Sequence, residues 1–430
     1  MAIGSPSKMA SLLMSSLLLG NLASASDNGL AVTPQMGWDN WNSLGCEVSE
    51  SLLQTSARAI VNLRLKDIGY EYVILDDCWS NGRNTSGNGS IIVDTIKFPR
   101  GMAAVANDIH ALGLKFGMYS DAGRYTCGMY EGSLGHEAVD AQTFANWGVD
   151  YLNDGPDAWN CGLPGSHCST LNIANKAAFI VRKCQSGAWN DLDMLTVGLG
   201  GQTDAEYIAH FSLWCAVKSP LIMGNDFSKI NNRTLSILLN AAAIAVNQDP
   251  LYSSAVRRWY YETSDIDEWG KGSIQLWSGS LLSTTDTDYD DVVVVLVNGN
   301  NSTSTLNATL ADIFVDSGTD GTAPQVSLSW EVRDLWAYRL TDEEAQAVID
   351  TANATASSGV AASINSTKLY NATAVSYAEG LEVKDELLLG KVTTTVEPRG
   401  TLTAEIERHG AAMFRLRAVP TDAVRKRTEL

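Results

Sequence analysis

Histidine and basic residues are scarce in this sequence. Its 430 residues include only five His, which are scattered, and its seven Cys form no C-x-x-C pair. We therefore expect no structural zinc site. Lys and Arg number 30 against 49 Asp and Glu, which leaves a formal charge of -19. Such a charge repels phosphate backbones and anionic lipids, so nucleic-acid and membrane partners are not expected.

The sequence also lacks any apolar run of the ~20 residues that a membrane-spanning helix needs. The N-terminal segment instead has the pattern of a secretory signal peptide. Lys8 precedes a mostly apolar stretch over residues 9–19, and Ala23-Ser24-Ala25 matches the small-residue cleavage rule. A short membrane anchor is the alternative, but the stretch is too short for one. We predict a signal peptide over residues 1–25 and a secreted, extracellular protein.

Secretion allows Asn-x-Ser/Thr sequons to be glycosylated and cysteines to form disulfides. Sequons occur at Asn84, Asn88, Asn232, Asn300, Asn301, Asn307, Asn353, Asn365 and Asn371. In a secreted eukaryotic chain several of them would carry glycans. Cysteines of a secreted chain can pair, but seven is an odd number, so at least one thiol is left over.

From Thr33 to about Pro250, short apolar runs alternate with amphipathic helical stretches. The pattern predicts strands near Met36, Ile74, Phe116, Tyr151, Leu195, Ile222 and Ile244. It predicts helices over residues 102–112, 137–147, 171–185, 203–217 and 234–239. Repeated βα units with polar residues after the strands are typical of a parallel (β/α)8 barrel. An open doubly wound sheet is the alternative, although no G-x-G-x-x-G follows the first strand.

From about Leu251 the pattern changes to short β-rich runs separated by turn residues. These runs cover residues 274–277, 292–297, 326–332 and 413–416. They predict an antiparallel β-sandwich over residues 251–430, after a barrel domain over residues 26–250. The segment 345–373 is rich in Ala, Ser, Asn and Thr, and we interpret it as a glycosylated insertion or a long loop.

Aromatic residues and carboxylates cluster after successive predicted strands. The clusters cover residues 36–42, 76–79, 119–127 and 189–194. Carboxylates accept hydrogen bonds from sugar hydroxyls, and aromatic rings pack on the apolar C–H face of a sugar. A single Trp is more often a core residue, and a single Asp is commonly a helix cap. Four clusters together favour a sugar or polyol site, and the Gly and terminal Glu of a calcium loop are absent. We expect no metal and no cofactor.

At these motifs the sequence resembles the melibiase-type α-galactosidases and α-N-acetylgalactosaminidases of glycoside hydrolase family 27, and most of all their fungal secreted α-galactosidases. The matching segments are T-P-Q-M-G-W-D-N-W-N from Thr33, D-D-C-W from Asp76, F-P-R-G from Phe98, G-L-K-F-G-M-Y-S-D-A-G from Gly113, W-G-V-D-Y-L from Trp147, C-G-L-P-G-S-H-C from Cys161, W-N-D-L-D-M-L from Trp189 and K-S-P-L-I-M-G from Lys218. The resemblance is strong from Thr33 to Pro250 and loose beyond it.

The resemblance implies a (β/α)8 barrel with a C-terminal β-sandwich and retaining hydrolysis of terminal α-galactosides in oligosaccharides and galactomannans. It implies substrate-binding roles for Trp41, Asp76, Asp77, Tyr119 and Asp193. It also implies a disulfide between Cys46 and Cys78, and we expect Cys161 and Cys168 to pair with each other. Cys184 and Cys215 are interpreted as buried thiols on helix faces. The choice between galactose and N-acetylgalactosamine and the oligomeric state stay open.

The chain departs from the family pattern directly after Leu152. In the family, W-G-V-D-Y-L continues into K-Y-D-N-C, which holds the nucleophile and a cysteine that pairs with the position of Cys127. A later W-R-x-x-x-D segment holds the acid/base. Neither segment occurs here, and Thr33 to Pro250 is shorter than the roughly 250 residues typical of the barrel. We therefore predict a barrel that lacks about two βα units.

Asp154 and Asp157 are the nearest carboxylates to the missing catalytic positions. Both are weak catalytic candidates, because capping or solvation of a loop is the ordinary role of such residues. Two explanations of the missing segment are open. Either the sequence derives from an incomplete gene model or splice form, or it is a shortened, catalytically inactive galactose-binding homologue.

Overall fold

The computed structural model describes residues 28–154, 169–268, 270–315, 323–358 and 369–420. Within these ranges, no helix has the length and apolar character that a bilayer crossing requires. The elements of the first half are β1 (Met36–Asp39), α1 (Trp41–Leu44), α2 (Glu50–Asn62), β2 (Tyr72–Leu75), β3 (Ser80–Arg83), β4 (Ile91–Val93), α3 (Met102–Ala111), β5 (Lys115–Ser120), α4 (Glu137–Trp147), β6 (Tyr151–Asp154), α5 (Thr170–Ala177), α6 (Asp204–Ala216), β7 (Leu221–Met223), α7 (Asn232–Leu238) and α8 (Ala241–Asn247).

A parallel sheet organises this half, with the strand order β6-β5-β2-β1-β7. Trp38 in β1 pairs with Val73 of β2 on one side and with Met223 of β7 on the other. Leu195 extends the sheet beyond β7 through an isolated parallel bridge to Met223. Because all pairs are parallel, the carboxyl ends of the strands lie at one edge, where the polar clusters of the sequence follow.

Helix starts in this half follow local capping rules. The side chains of Ser49, Ser169, Thr203, Asn231 and Asn240 accept hydrogen bonds from the first turns of α2, α5, α6, α7 and α8. At α6 a full capping box forms, because the carboxylate of Glu206 also accepts from the Thr203 backbone N–H. These short polar residues satisfy amide groups that no helical carbonyl can reach.

The second half is dominated by antiparallel strands. Its elements are β8 (Val256–Glu262), β9 (Ser273–Leu281), β10 (Asp291–Asn298), β11 (Ser304–Thr309), α9 (Leu310–Ile313), β12 (Trp330–Asp334), α10 (Asp342–Ser358), α11 (Tyr377–Glu382), α12 (Glu386–Leu389), β13 (Lys391–Val396), β14 (Thr401–Ile406) and β15 (Ala411–Ala418). A six-stranded sheet has the order β13-β12-β15-β10-β9-β8, and β11 pairs with β14 in a second sheet.

Strand β10 has a continuous apolar sequence because both of its faces are buried. Val292, Val294 and Leu296 pack in the core that lies between the two antiparallel sheets. Val293 and Val295 on the opposite face belong to the core that the parallel-sheet half shares. A strand with one solvated face would alternate apolar and polar residues, whereas every residue of β10 is buried.

The segment that contains α10 was predicted as an insertion or loop, and this prediction is wrong for its first part. Ala345, Val348, Ile349 and Ala352 recur at helical spacing and are buried. Helix α10 packs against α7 and α2 of the first half. The hydroxyl of Tyr377 in α11, which follows this segment, donates to the carbonyl of Ile68 over 2.9 Å and so ties the next part of the chain to the first half.

Three other expectations also need correction. Ile244 lies in α8 and not in a strand, because Asn240 caps an Ala-rich run. The helix expected to reach Gln185 ends at Ala177, and Cys184 follows a later 3-10 turn and is only half-buried. The run expected as a strand from Val326 begins its strand at Trp330. Cys215 is buried on α6 as predicted.

Candidate functional site

The candidate site lies at the carboxyl edge of the parallel sheet, after β1, β2 and β5. Trp41 begins the short helix that follows β1, and its side chain is 38% exposed although the neighbouring Asp39 and Asn40 are buried. One carboxylate oxygen of Asp39, Oδ1, accepts the Trp41 backbone N–H over 2.8 Å. This bond fixes the backbone of Trp41 directly beside the strand end and leaves its ring facing solvent.

Asn40 connects the ends of β1 and β2. Its side-chain oxygen accepts the backbone N–H of Asp76 over 2.8 Å, and its amide nitrogen donates to the Gly45 carbonyl over 3.0 Å. A disulfide between Cys46 and Cys78 joins the same two loops, as the family resemblance implies, with the Cα atoms 5.3 Å apart. The first two loops of the site are therefore held together both covalently and by hydrogen bonds.

Asp76 and Asp77 stand side by side after β2 and are both buried at the floor of the site. Asp77 accepts the Thr126 hydroxyl over 2.8 Å at Oδ1 and the Gly128 backbone N–H over 2.7 Å at Oδ2. These bonds bring the loop after β5 against β2. Because a carboxylate has about four lone-pair positions, Asp77 keeps accepting capacity beyond these contacts and a further bond to the Cys78 backbone N–H.

Tyr119 places a neutral hydroxyl beside this loop. Its ring lies at the end of β5, its hydroxyl donates to the Cys127 sulfur at 3.9 Å, and burial raises the pKa of Tyr119 above its usual range. The Trp79 indole N–H donates to the Tyr119 carbonyl over 3.0 Å, which holds the backbone there. Cys127 is exposed and forms no disulfide with another described cysteine.

Asp193 reaches the site from a loop that precedes the Leu195 bridge. Its φ of 76° lies in the left-handed region, which is unusual for a residue with a side chain and often marks a functional position. Its backbone N–H donates to Asp191 over 2.8 Å, and its carbonyl accepts the Trp214 indole N–H over 2.8 Å. The loop is thus held by α6 while the Asp193 side chain is exposed.

Asp39 is a member of the site that our sequence analysis did not single out. It is fully buried, and the negative charges of Asp76 and Asp193 add to the effect of burial. Burial first, and then these neighbouring carboxylates, raise the pKa of Asp39 well above its ordinary value. The signal in the sequence was the Asp within M-G-W-D-N-W, at the last position of an otherwise apolar strand.

Some predicted residues cannot be placed in this site. Asp154 ends β6 opposite Ser120, and only its backbone is described. Asp157, Cys161, Cys168 and the sequon at Asn365 lie outside the described residues. Among the residues that are described, no group of three or more His, Cys, Asp and Glu side chains is arranged to hold a metal ion.

The sequons within the described ranges differ in exposure. Asn84, Asn88, Asn301, Asn307 and Asn353 are exposed, Asn232 and Asn371 are half-buried, and Asn300 is buried. The amide nitrogen of Asn232 donates to the Asp342 carbonyl over 3.2 Å, and that of Asn300 donates to the Ser304 hydroxyl over 3.1 Å. A glycan replaces one hydrogen of this amide nitrogen, so exposed sequons are the better acceptors.

A family model described as Alpha galactosidase A matches residues 33–162 and 165–249 of the chain. The alpha-galactosidase of Lachancea cidri is 42% identical over 471 residues, which cover 92% of this chain and 96% of the relative.

Two solved structures are similar as well. The alpha-galactosidase of Saccharomyces cerevisiae solved with raffinose matches with a TM-score of 0.82 and 38% identity, over 92% of this chain and all of that one. Alpha-galactosidase I of Mortierella vinacea matches with a TM-score of 0.69 and 32% identity over the same shares. These matches cover both halves of the fold.

Proposed function

Because the chain belongs to the melibiase-type α-galactosidase family, we propose that it hydrolyses terminal α-D-galactosyl residues in oligosaccharides and galactomannans. One observation carries the proposal. The carboxyl edge of the parallel sheet, in a chain so similar to curated α-galactosidases, holds Trp41, Asp76, Asp77 and Tyr119. The raffinose complex of the Saccharomyces cerevisiae relative supports a galactose-containing oligosaccharide as ligand.

The geometry supports a division of roles around a galactosyl ring. The exposed ring of Trp41 packs on the apolar C–H face of the sugar, and Asp76 and Asp77 accept hydrogen bonds from adjacent hydroxyls. Tyr119 donates from a neutral hydroxyl, and Asp193 closes the opposite side from its loop. Because the sugar is neutral, these carboxylates recognise it through hydrogen bonds and not through charge pairing.

Retaining hydrolysis requires two further carboxyl groups about 5–5.5 Å apart, one as nucleophile and one as acid/base. Asp154, the last residue of β6, and Asp157, which lies outside the described residues, remain weak candidates, because they are the carboxylates nearest in sequence to the missing catalytic positions. The nucleophile attacks the anomeric carbon while the acid protonates the departing oxygen, and water then releases the sugar. Neither side chain lies within the described residues, so this assignment rests on sequence position.

We further propose that the barrel of this chain is short of two βα units. The described strands and the Leu195 bridge supply six positions around the sheet, with β7 next to β1, whereas the fold closes with eight. The alignment with the Lachancea cidri relative runs over 471 residues, but 92% of 430 residues is about 396. About 75 positions of the alignment thus have no counterpart here, which is roughly two units at about 30 residues each.

The proposed function is tested by assaying the secreted protein of this sequence with an aryl α-galactoside. We expect release of the aryl alcohol, and an Asp76→Asn variant should release it more slowly because one acceptor of the sugar hydroxyls is weakened. Calorimetry with galactose on the same samples, with glucose as control, separates the two competing functions. Galactose binding without turnover from folded protein would identify a binding protein, and absence of both would refute the proposal.

The proposed short barrel has an independent test. Sequencing the transcript across the codons for Leu152 to Cys161 should reveal no further coding segment if the short form is genuine. An additional exon that encodes K-Y-D-N-C and W-R-x-x-x-D would show that the sequence derives from an incomplete gene model.

We also propose that the protein is secreted after removal of residues 1–25 and is glycosylated. The support is the signal-peptide pattern, the disulfide between Cys46 and Cys78, and the exposed sequons. A barrel domain over 26–250 followed by a β-rich domain over 251–430 agrees with the change from parallel to antiparallel sheets. N-terminal sequencing of protein from the culture medium tests the cleavage after Ala25, and an intact N-terminus at Met1 would refute it.

A further inference from the structure

The loop after β5 is a hairpin over residues 121–134, which we call the β5 hairpin. Its two arms are joined at two levels by backbone contacts. At the base, the Ser133 N–H donates to the Asp121 carbonyl over 2.7 Å. Nearer the tip, Tyr125 and Glu131 form an antiparallel bridge. The tip of the β5 hairpin is therefore held in a defined place at the edge of the parallel sheet.

The hydroxyl of Thr126 makes two hydrogen bonds at this tip. It accepts the Tyr130 backbone N–H over 3.0 Å, which closes the hairpin, and it donates to Asp77 Oδ1 over 2.8 Å. Thr126 is buried, so both bonds form away from bulk water. A buried bond to a charged group is costly to lose, because water does not replace the missing partner. The same hydroxyl therefore shapes the hairpin tip and holds one oxygen of Asp77.

Gly128 supplies the contact to the other oxygen of Asp77. Its backbone N–H donates to Asp77 Oδ2 over 2.7 Å. A Cβ atom at position 128 would lie 2.7 Å from that same oxygen, which is closer than real Cβ contacts come. Glycine therefore lets the backbone approach the carboxylate this closely. Because the hairpin tip binds both oxygens, it fixes the plane of the Asp77 carboxylate as well as its position.

Few accepting positions of Asp77 are left for a ligand. Its Oδ1 also accepts the Cys78 backbone N–H over 2.7 Å. With the bonds from Thr126 and Gly128, described donors occupy three of the about four lone-pair positions of a carboxylate. The direction of the remaining position is set by the other three. A sugar hydroxyl can bond Asp77 only along that direction, so the β5 hairpin determines where the hydroxyl must lie.

We propose that Thr126 is a positioning residue that orients Asp77 toward a hydroxyl of an α-galactoside. The galactoside part of this inference rests on the proposed function. Thr126 acts through Asp77 and not by contact with the sugar, because its hydroxyl fixes Oδ1 and closes the tip that carries the Gly128 amide to Oδ2. Without the hydroxyl, Asp77 rotates about its side-chain bonds, and its accepting position no longer matches the sugar.

The test compares Thr126→Val, Thr126→Ser and the wild-type protein by calorimetry with galactose, alongside thermal unfolding of the same samples. Valine has the shape of threonine without the hydroxyl, so Thr126→Val should bind galactose about tenfold more weakly. Serine keeps the donor, so Thr126→Ser should bind within about threefold of the wild type. Thr143→Val removes a hydroxyl that bonds the Val139 carbonyl within α4, and this matched control should keep the wild-type affinity.

A double variant shows whether Thr126 acts through Asp77. Asp77→Ala has no carboxylate to orient, so adding Thr126→Val to it should change galactose affinity by less than about twofold. Galactose is titrated to concentrations high enough to measure the weakened Asp77→Ala parent. An equal loss from Thr126→Val with and without the Asp77 carboxylate would overturn the positioning role. A folded Thr126→Val variant that binds galactose like the wild type would also overturn it.

Hydrogen exchange at the Gly128 amide gives a readout that does not depend on sugar. Gly128 is exposed, so only its bond to Asp77 should slow the exchange of its N–H. In NMR of labelled protein, this amide should exchange about tenfold faster in Thr126→Val than in the wild type. Equal exchange rates would overturn the hold of Thr126 on Asp77. Different rates together with no galactose binding by the wild type would instead count against the proposed function and remove the galactoside role of Thr126.

Discussion

The exposed ring of Trp41 offers a direct measure of how much the apolar face of a sugar contributes to binding. Its side chain is 38% exposed, and a Trp presents up to about 250 Å² of surface. About 95 Å² is therefore available to a ligand. At about 25 cal/mol per Å², full coverage by the sugar is worth about 2.4 kcal/mol and half coverage about 1.2 kcal/mol. We expect Trp41→Ala to weaken galactose binding between about 7-fold and about 50-fold.

Stability should change little in Trp41→Ala, because α1 contains no buried residue and the Asp39 bond is made to the Trp41 backbone. The assay is calorimetric titration with galactose alongside thermal unfolding of the same samples. Trp41→Phe keeps an aromatic ring and should lose less affinity than the Ala variant. Ile96→Ala removes an apolar side chain that is 92% exposed outside the site and serves as control.

The reasoning would be refuted if Trp41→Ala binds galactose within about twofold of the wild type, since the smallest expected loss is larger than that. It would also be refuted if Ile96→Ala weakens binding equally, because the effect would then not be specific to the site. A large fall in unfolding temperature for Trp41→Ala would show that the ring supports the fold and not the sugar.

Three further predictions concern stability and modification. Arg415→Met should lower the free energy of unfolding by about 3–5 kcal/mol in a urea titration, because the buried Asp291 loses the guanidinium that it bonds at 2.8 Å and keeps the Thr284 hydroxyl and the more distant Arg417 at 3.9 Å; an unchanged midpoint would contradict this. Burial lowers the pKa of His210 from 6.5 to about 3, so its contribution to stability is present above about pH 6.5 and lost as the pH falls toward 3. A His210→Gln variant should therefore lose less stability than the wild type on acidification, and parallel pH profiles of the two proteins would disprove the assignment. In secreted protein a glycan should occupy Asn301 and not the overlapping sequon at Asn300, which is buried and hydrogen-bonded. Enzymatic deglycosylation in water labelled with heavy oxygen converts the occupied Asn into labelled Asp, and mass spectrometry of the peptides then identifies which of the two it was.

The local sequence pattern predicted much of the secondary structure in the first half of the fold. The strands near Met36, Ile74, Phe116, Tyr151 and Ile222 and the helix from Glu137 to Trp147 are where the apolar pattern predicts them. Apolar periodicity predicts these elements correctly because each helix buries one apolar stripe and each strand buries its apolar residues against elements that are near in the sequence. It failed at Ile244, where an apolar run is short enough to suit a strand or a buried helix and only the cap at Asn240 decides.

For the site, the sequence determined which strand ends carry Trp and carboxylates, and hence what kind of ligand they suit. Parallel pairing then brings those ends to one edge for a general reason, because every strand points the same way. The family followed from the same motifs and is supported independently by relatives that share 38–42% identity.

Only the tertiary structure decided how those residues act on one another. That Asp39 is buried near the charges of Asp76 and Asp193, that Asp77 reaches the loop after β5, and that α10 packs on α2 and α7 all depend on contacts between distant segments. The protonation of a carboxyl group is set by its burial and by the charges around it, and neither is written in the residues next to it in the chain. The sequence therefore determined which groups could contact a sugar, and the fold decided which of them lie close together and how burial shifts their pKa values.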